Sequence, residues 1–261
     1  MPDPVEWRPL SGRLAAHVAG PDDGPCMVFA HGFTQTSTSW MPIAAEFVRS
    51  GHRCVLVDLP GHGHSAGVRA DLRLMADMIA SVSAPGTFVG YSLGGRAMLH
   101  VALMYPHLVQ RLAVIGANPG IADEAERAQR RDNDEHLARR VETIGVEAFL
   151  AEWMAQPLFG ELQASADDVA DRRRNTAEGL AGSLRMAGTG SQGSLWARLR
   201  ELNMPVLAVA GELDTKFVAI ARQLAEAVPY GTFAAIPGAA HAAHLQQPAA
   251  VIDVLRAWLS G

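Results

Sequence analysis

The sequence predicts an α/β protein: a mostly parallel, twisted sheet flanked by helices and interrupted late in the chain by a helical insert. Three observations carry that reading. Short, continuous apolar runs alternate with segments whose apolar residues fall at helical spacing. The runs lack the polar alternation of a half-solvated strand, as strands covered on both faces require. Residues 122–185 then break the pattern, being charge-rich and without a convincing strand, before the apolar runs resume at Pro205.

RLAAHVA (13–19) reads as a first strand and PDDGP as a turn. CMVFA (26–30) is a buried strand ending at His31-Gly32, and WMPIAAEFVR (40–49) a helix. CVLVDLP (54–60) is the next buried strand, followed by the Gly-rich loop GHGHSAG and a helix over 70–83. TFVG (87–90) runs as a strand straight into the helix YSLGGRAMLHVALMYP, and LAVIGANPG (112–120) is a further strand. Within the insert, ADEAERAQRRDNDEHLARRV is helical, with charge pairs at i, i+4 such as Arg130–Asp134 and Arg127–Arg131–Glu135. EAFLAEWM (147–154) is amphipathic, SADDVADRRRNTAEGLAGSLR is helical, and GTGSQGS (188–194) is linker-like. PVLAVAGELD (205–214), FAAIPGAAHAAH (233–244) and PAAVIDVLRAWLSG restore strand, strand-plus-loop and helix. The sequence thus divides into a first core segment (1–119), a helical insert (120–195) and a second core segment (196–261).

At 261 residues, 49% hydrophobic and 19% charged, the chain can bury a core that needs no disulfide or metal to hold it. A net charge of −5 leaves no basic excess to neutralise phosphates, so no nucleic-acid partner is expected. No apolar run approaches the roughly 18 residues that span a bilayer. MPDPVEWRPLSG lacks the cationic and apolar regions of a secretory signal, so a cytoplasmic location without membrane attachment is expected. Cys26 and Cys54, the 2 cysteines, each begin an apolar run and read as small buried hydrophobes.

The strongest chemical signal is Gly90-Tyr91-Ser92-Leu93-Gly94, a G-x-S-x-G between a strand and a helix. A nucleophile on so sharp a turn adopts a strained backbone, and the residues two before and two after must be small. The turn lifts the Ser92 hydroxyl to a helix N-terminus, where developing negative charge is favoured. Serine is inert at neutral pH without a base. Of 10 histidines, His241 lies after the last strand and before the last helix, with His244 as its local competitor. The orienting acid belongs at a strand end between serine and histidine; Asp214 sits there, with Glu212 as the alternative. Asp58 also follows a strand but precedes the serine, and reads as a loop-shaping hydrogen-bonder. Two backbone N–H groups should form an oxyanion hole: that of Leu93, after the nucleophile, and that of Phe33, in the loop after the early strand.

AHGF, DLPGHGHS, GYSLGG and the late Asp/His pair together resemble the α/β-hydrolase superfamily over nearly the whole chain. The resemblance implies an α/β-hydrolase fold with a helical cap inserted after the sixth strand, the chain order Ser92…Asp214…His241, and neither metal nor organic cofactor. Haloalkane dehalogenases and epoxide hydrolases of that superfamily place aspartate where this chain has Ser92.

A finer resemblance, to the 2-succinyl-6-hydroxy-2,4-cyclohexadiene-1-carboxylate (SHCHC) synthases of menaquinone biosynthesis, lies in GYSLGGR, NPGIADEAERAQRR, EWMAQPLF, RRRNTAEG and GELDTKF. It implies a lyase that eliminates pyruvate from a succinyl- and enolpyruvyl-bearing cyclohexene carboxylate (SEPHCHC), so a small-molecule carboxylate is the expected partner. It further implies that Ser92, Asp214 and His241 are the triad and that Tyr91 and Arg96 stand beside it. Arg130 and Arg174 would hold substrate carboxylates, and Trp153 would wall the pocket. Arginine suits that task because its planar fork grips a carboxylate through two bonds. Arg130 and Arg174 sit in charge runs that also read as solvated helix faces, Arg173 competes with Arg174 by one register, and Arg96 also reads as a core partner. The alternative activity is a carboxylesterase or C–C bond hydrolase that uses the same triad through an acyl-enzyme. Two features depart from the family: Ala240 stands where a glycine usually precedes the histidine, and MAGTGSQGS (186–194) has no counterpart.

Overall fold

The computed structural model describes residues 4–10, 12–160, 162 and 164–261. Residues 1–3, the head of the N-terminal segment read above, lie outside the described ones, as do 11, 161 and 163. The strands are β1 (Arg8–Leu10), β2 (Ala16–Ala19), β3 (Cys26–Ala30), β4 (Arg53–Val57), β5 (Gly86–Tyr91), β6 (Val109–Ile115), β7 (Val206–Gly211) and β8 (Gly231–Ile236). They form one 8-stranded sheet in the order β1-β2-β4-β3-β5-β6-β7-β8. Only the β1–β2 and β2–β4 pairs are antiparallel; from β4 to β8 every neighbour is parallel.

The helices are α1 (Met41–Arg49), α2 (Leu72–Ser81), α3 (Leu93–Met104), α4 (Glu124–Met154), α5 (Ala166–Arg172), α6 (Ala177–Ala187), α7 (Thr215–Ala227), α8 (Ala243–Gln246) and α9 (Pro248–Ser260). Successive strand side chains point to opposite faces, and the two faces carry separate cores. Val28 of β3, Val55 of β4 and Phe88 of β5 pack with α2, α3 and α7. Phe29, Leu56 and Val89, one residue further along each strand, pack with α1 and α9. That double covering explains why the strands read as unbroken apolar runs. Cys26 and Cys54 are free thiols buried in these layers, and burial pushes the Cys54 thiol up to about 12. Among the described residues no helix is long and apolar enough to cross a membrane.

Between β6 and β7 the chain leaves the sheet and forms α4, α5 and α6. Gly145 breaks α4 with φ +77°, so the two helical stretches read from the sequence meet at a corner. A small core of its own, including Val141, Phe149 and Leu180, holds this segment together. The charge pattern is met only in part. Arg130 and Asp134 pair at 2.8 Å, whereas Glu135 turns to Arg139 and Arg185 instead of Arg131. The expected linker at 188–194 is packed wall: a Cβ on Gly190 would stand 2.2 Å from Arg131 N, and the Gly190 N–H donates to Asp134 at 3.0 Å. Gly188 and Gly190 serve close approach to α4, a Cβ on Gly188 standing 2.5 Å from Asp134 Oδ2. The first strand is shorter than 13–19, starting at Ala16, and β1 adds an edge that three mostly exposed residues gave no pattern to announce.

Candidate active site

β5 delivers Tyr91 to its end and α3 begins at Leu93, leaving Ser92 on the corner with φ +50° and ψ −109°. Such a backbone is strained for any residue with a Cβ, and it persists because its surroundings over-determine it. The two glycines show how. A Cβ on Gly90 would lie 2.5 Å from Gly94 O, and one on Gly94 would lie 2.2 Å from Ala30 O. Ser92 N–H donates to Ile115 O at 2.8 Å, which ties the corner to β6. The spacing of the motif is therefore set by backbone packed on backbone.

β7 ends at Gly211, and Asp214 caps α7 by accepting from Phe217 N–H at 3.2 Å. Its other oxygen lies 2.8 Å from His241 Nδ1. An ionised carboxylate can only accept, so Nδ1 carries the proton and Nε2 is left as an acceptor. The Ser92 hydroxyl lies 3.3 Å from that Nε2 and can donate to it. Both Asp214 and His241 are buried, and Phe217 packs on the imidazole with ring centroids 4.4 Å apart. Ala240 needs no glycine: its φ lies outside the left-handed region, and its N–H donates to Gln246 at 2.9 Å. His244 lies elsewhere, buried between Trp40 and Tyr91 with Nε2 3.1 Å from Gln35 Nε2, and Glu212 is exposed. Asp58 shapes its loop by accepting from the N–H groups of Ser37 and His64, each at 2.8 Å.

The triad opens into a cavity of about 580 Å³ lying between the sheet end and the insert. Phe33 and Leu93 line it, and among the described residues neither backbone N–H has an acceptor within the protein. Two unspent donors beside a half-buried serine hydroxyl can receive a developing oxyanion. The Phe33 loop is itself held from the insert. Thr34 has φ +69°, an unusual value for a β-branched residue. Arg172 NH1 donates to its hydroxyl at 2.6 Å and Asn175 Nδ2 to its carbonyl at 2.7 Å. His62 accepts from Thr34 N–H at 3.3 Å.

The remaining sequence-derived residues divide. Tyr91, Arg96, Arg130 and Trp153 all line the cavity. Arg96 is 8% exposed and donates to Gln192 at 3.2 Å, and burial together with Arg130 pulls its guanidinium down to about 10. Arg130 Nε donates to the buried Asp134 at 2.8 Å, which aims its fork along the wall. Trp153 packs edge-on to Phe33 at 5.0 Å, and among the described residues its buried Nε1 has no hydrogen-bond partner. Arg174 is a correction: it does not line the cavity. α5 ends at Arg172, so Arg174 falls on the turn beyond, where it is 37% exposed and pairs with Asp171 at 2.8 Å. Its competitor Arg173 also points out, toward Glu147. The inward arginine of the run is Arg172, 3% exposed, paired with Asp168 one turn earlier. Its spacing to Val169 on one helix face was the available signal. Gln192, Phe159, Lys216 and Phe217 were not singled out from the sequence; their places depend on contacts distant along the chain.

The chain matches the model of the "Alpha/beta hydrolase family" over residues 27–254. It is 35% identical over 251 residues to the 2-succinyl-6-hydroxy-2,4-cyclohexadiene-1-carboxylate synthase of Salmonella schwarzengrund (strain CVM19633), covering 92% of this chain and 96% of that one. The MenH structure from S. aureus superposes with a TM-score of 0.86 at 27% identity, covering 94% of this chain and 97% of that one. A thermophilic esterase from Thermogutta terrifontis shares the fold, with a TM-score of 0.82 at 22% identity and 98% coverage of each chain. The chain belongs to the alpha/beta hydrolase family and, within it, to the family of the SHCHC synthases.

Proposed function

From that membership we propose that the protein is a carbon–oxygen lyase of menaquinone biosynthesis that eliminates pyruvate from SEPHCHC to give SHCHC. The observation that carries the reading is the sharing of one cavity by Ser92, Arg96 and Arg130. A nucleophile–base pair alone serves any acyl substrate, whereas two guanidinium groups across from it select one that bears carboxylates.

His241, oriented by Asp214, draws the proton from Ser92, and the serine oxygen takes the proton from the ring carbon beside the succinyl carbonyl. The electron pair moves onto that carbonyl oxygen, where the N–H groups of Phe33 and Leu93 stabilise it. Collapse of the enolate shifts electrons through the ring double bond and breaks the ring C–O bond to the enolpyruvyl group. The departing pyruvate enolate receives the proton held by the Ser92–His241 pair, which restores the resting state. Arg96 and Arg130 grip ring and side-arm carboxylates, so that binding energy becomes orientation over Ser92. Trp153, Phe33 and Phe159 exclude water from the enolate.

The test is pyruvate release from SEPHCHC, read through lactate dehydrogenase and NADH. The purified protein should release pyruvate rapidly, and Ser92→Ala should lose about 10⁴-fold or more in kcat while still binding substrate. Absent pyruvate release, with simple esters hydrolysed and an acyl group trapped on Ser92, would replace the lyase reading with the hydrolase one.

A further inference from the structure

Lys216 is a cation that the fold leaves unused. It sits in the first turn of α7, two residues past Asp214, exposed to solvent while lining the cavity. Among the described residues it has no ion pair and no side-chain hydrogen bond. Its location is unfavourable on local grounds, because the amide dipoles of a helix place positive charge at that end. Asp214 caps that end by accepting from Phe217 N–H at 3.2 Å, but its other oxygen is engaged by His241, so it forms no ion pair with the lysine.

The other cations of the cavity each give one donor to the protein. Arg130 is paired with Asp134, and Arg96 is buried against Gln192. Asp123, Glu126 and Asp134 line the cavity opposite Arg96, Arg130 and Lys216, so its formal charges balance, three against three. No broad positive field therefore draws an anion in; each carboxylate has to be held by an individual cation. SEPHCHC carries three carboxylates, on the ring, the succinyl arm and the enolpyruvyl arm, and Arg96 and Arg130 provide for two.

We propose that Lys216 is a specificity-determining residue that holds the substrate carboxylate nearest the cavity mouth, an inference that rests on the lyase reading. The α7 N-terminus is taken by Asp214, so the ammonium itself is the group that meets the anion. Phe217, the next residue, packs on His241, so a carboxylate held at Lys216 is referenced to the base itself.

The experiment compares wild type with Lys216→Met, Lys216→Glu and Lys216→Arg in the pyruvate-release assay, across pH and salt concentration. Lys216→Met should raise KM about tenfold with kcat within about twofold and the pH profile unmoved. Lys216→Glu should raise KM about 100-fold, and Lys216→Arg should recover most of the loss. The salt dependence of kcat/KM should flatten in Lys216→Met. Unchanged KM in the Met and Glu variants, with wild type active, overturns this proposal alone and makes the lysine a solvated rim residue. A shifted pH profile at unchanged KM overturns it in favour of an influence on the His241–Asp214 pair. Wild-type protein that releases no pyruvate overturns the lyase reading and this proposal with it.

Discussion

On the sheet side of the cavity, side chains are aimed by backbone packed on backbone; on the insert side, they are aimed by ion pairs one helical turn apart and by hydrogen bonds from those pairs to neighbouring segments. Ser92 is fixed because Gly90 meets Gly94 and Gly94 meets Ala30 at distances no Cβ would allow. Arg130 is fixed by Asp134, which also accepts from Gly190 N–H, and Arg172 by Asp168 and Thr34. The insert has a core of only a few buried apolar residues, including Ala138, Phe149 and Leu184. Its outer surface is laced by Arg185 with Glu135 and Glu142. Exposed pairs of that kind contribute little each, so the buried polar links carry the alignment.

Four measurements sharpen or break this contrast. The largest effect belongs to Arg172→Met. Removing one partner of a buried pair should cost about 3 kcal/mol of stability in urea unfolding, the low end of the range because Asp168 retains some solvent. A loss below about 1 kcal/mol would mean that the insert does not depend on its buried links. Next comes Gly94→Ala, whose new Cβ would press on Ala30 O and move the elbow. A misplacement of that order should lower kcat/KM about 10²-fold, and near wild-type turnover would show that the sheet side can yield.

A smaller effect follows from His62. Burial, with His31 beside it, holds its imidazole down to about 3, against an ordinary value of 6.5. The unfolded chain therefore takes up a proton that the folded chain refuses once pH falls below that ordinary value. Stability should decline on acidification by about 1.4 kcal/mol per pH unit from this group, the loss ending near its folded value. Urea midpoints at pH 7.5 and 5.5 check this, with His62→Gln expected to flatten the slope. The smallest effect is that of Arg174→Ala. Its side chain lies on the surface, so stability should move by less than about 0.5 kcal/mol and KM should stay put. A KM rise would return that arginine to the substrate.

The same contrast explains what the sequence disclosed. Glycine spacing is local, so G-x-S-x-G announced the elbow, and chain order singled out Asp214 and His241 among many acids and ten histidines, side chains that the fold brings to Ser92. The unbroken apolar runs announced a sheet covered on both sides. Which face of a charged helix turns inward is set by contacts far apart in the chain, such as Arg172 to Thr34. RRR at 172–174 was therefore read as Arg174 with Arg173 in competition, whereas the arginine that α5 turns inward is Arg172. GTGSQGS carried linker chemistry but met α4. β1 was silent because an edge of three residues is held by backbone pairing that leaves no apolar signature.

Thr34 has a consequence for modular exchange. Its left-handed backbone is anchored by Arg172 and Asn175, both contributed by the insert, while the next residue back supplies a candidate oxyanion donor. A chimera that grafts a different insert onto this sheet inherits Thr34 but not its anchors. It would lose part of the sheet's own machinery at a junction that looks clean in the chain. Transplants should carry positions 172 and 175 with the recipient's loop, or relax Thr34 to glycine, whose backbone needs no such anchoring.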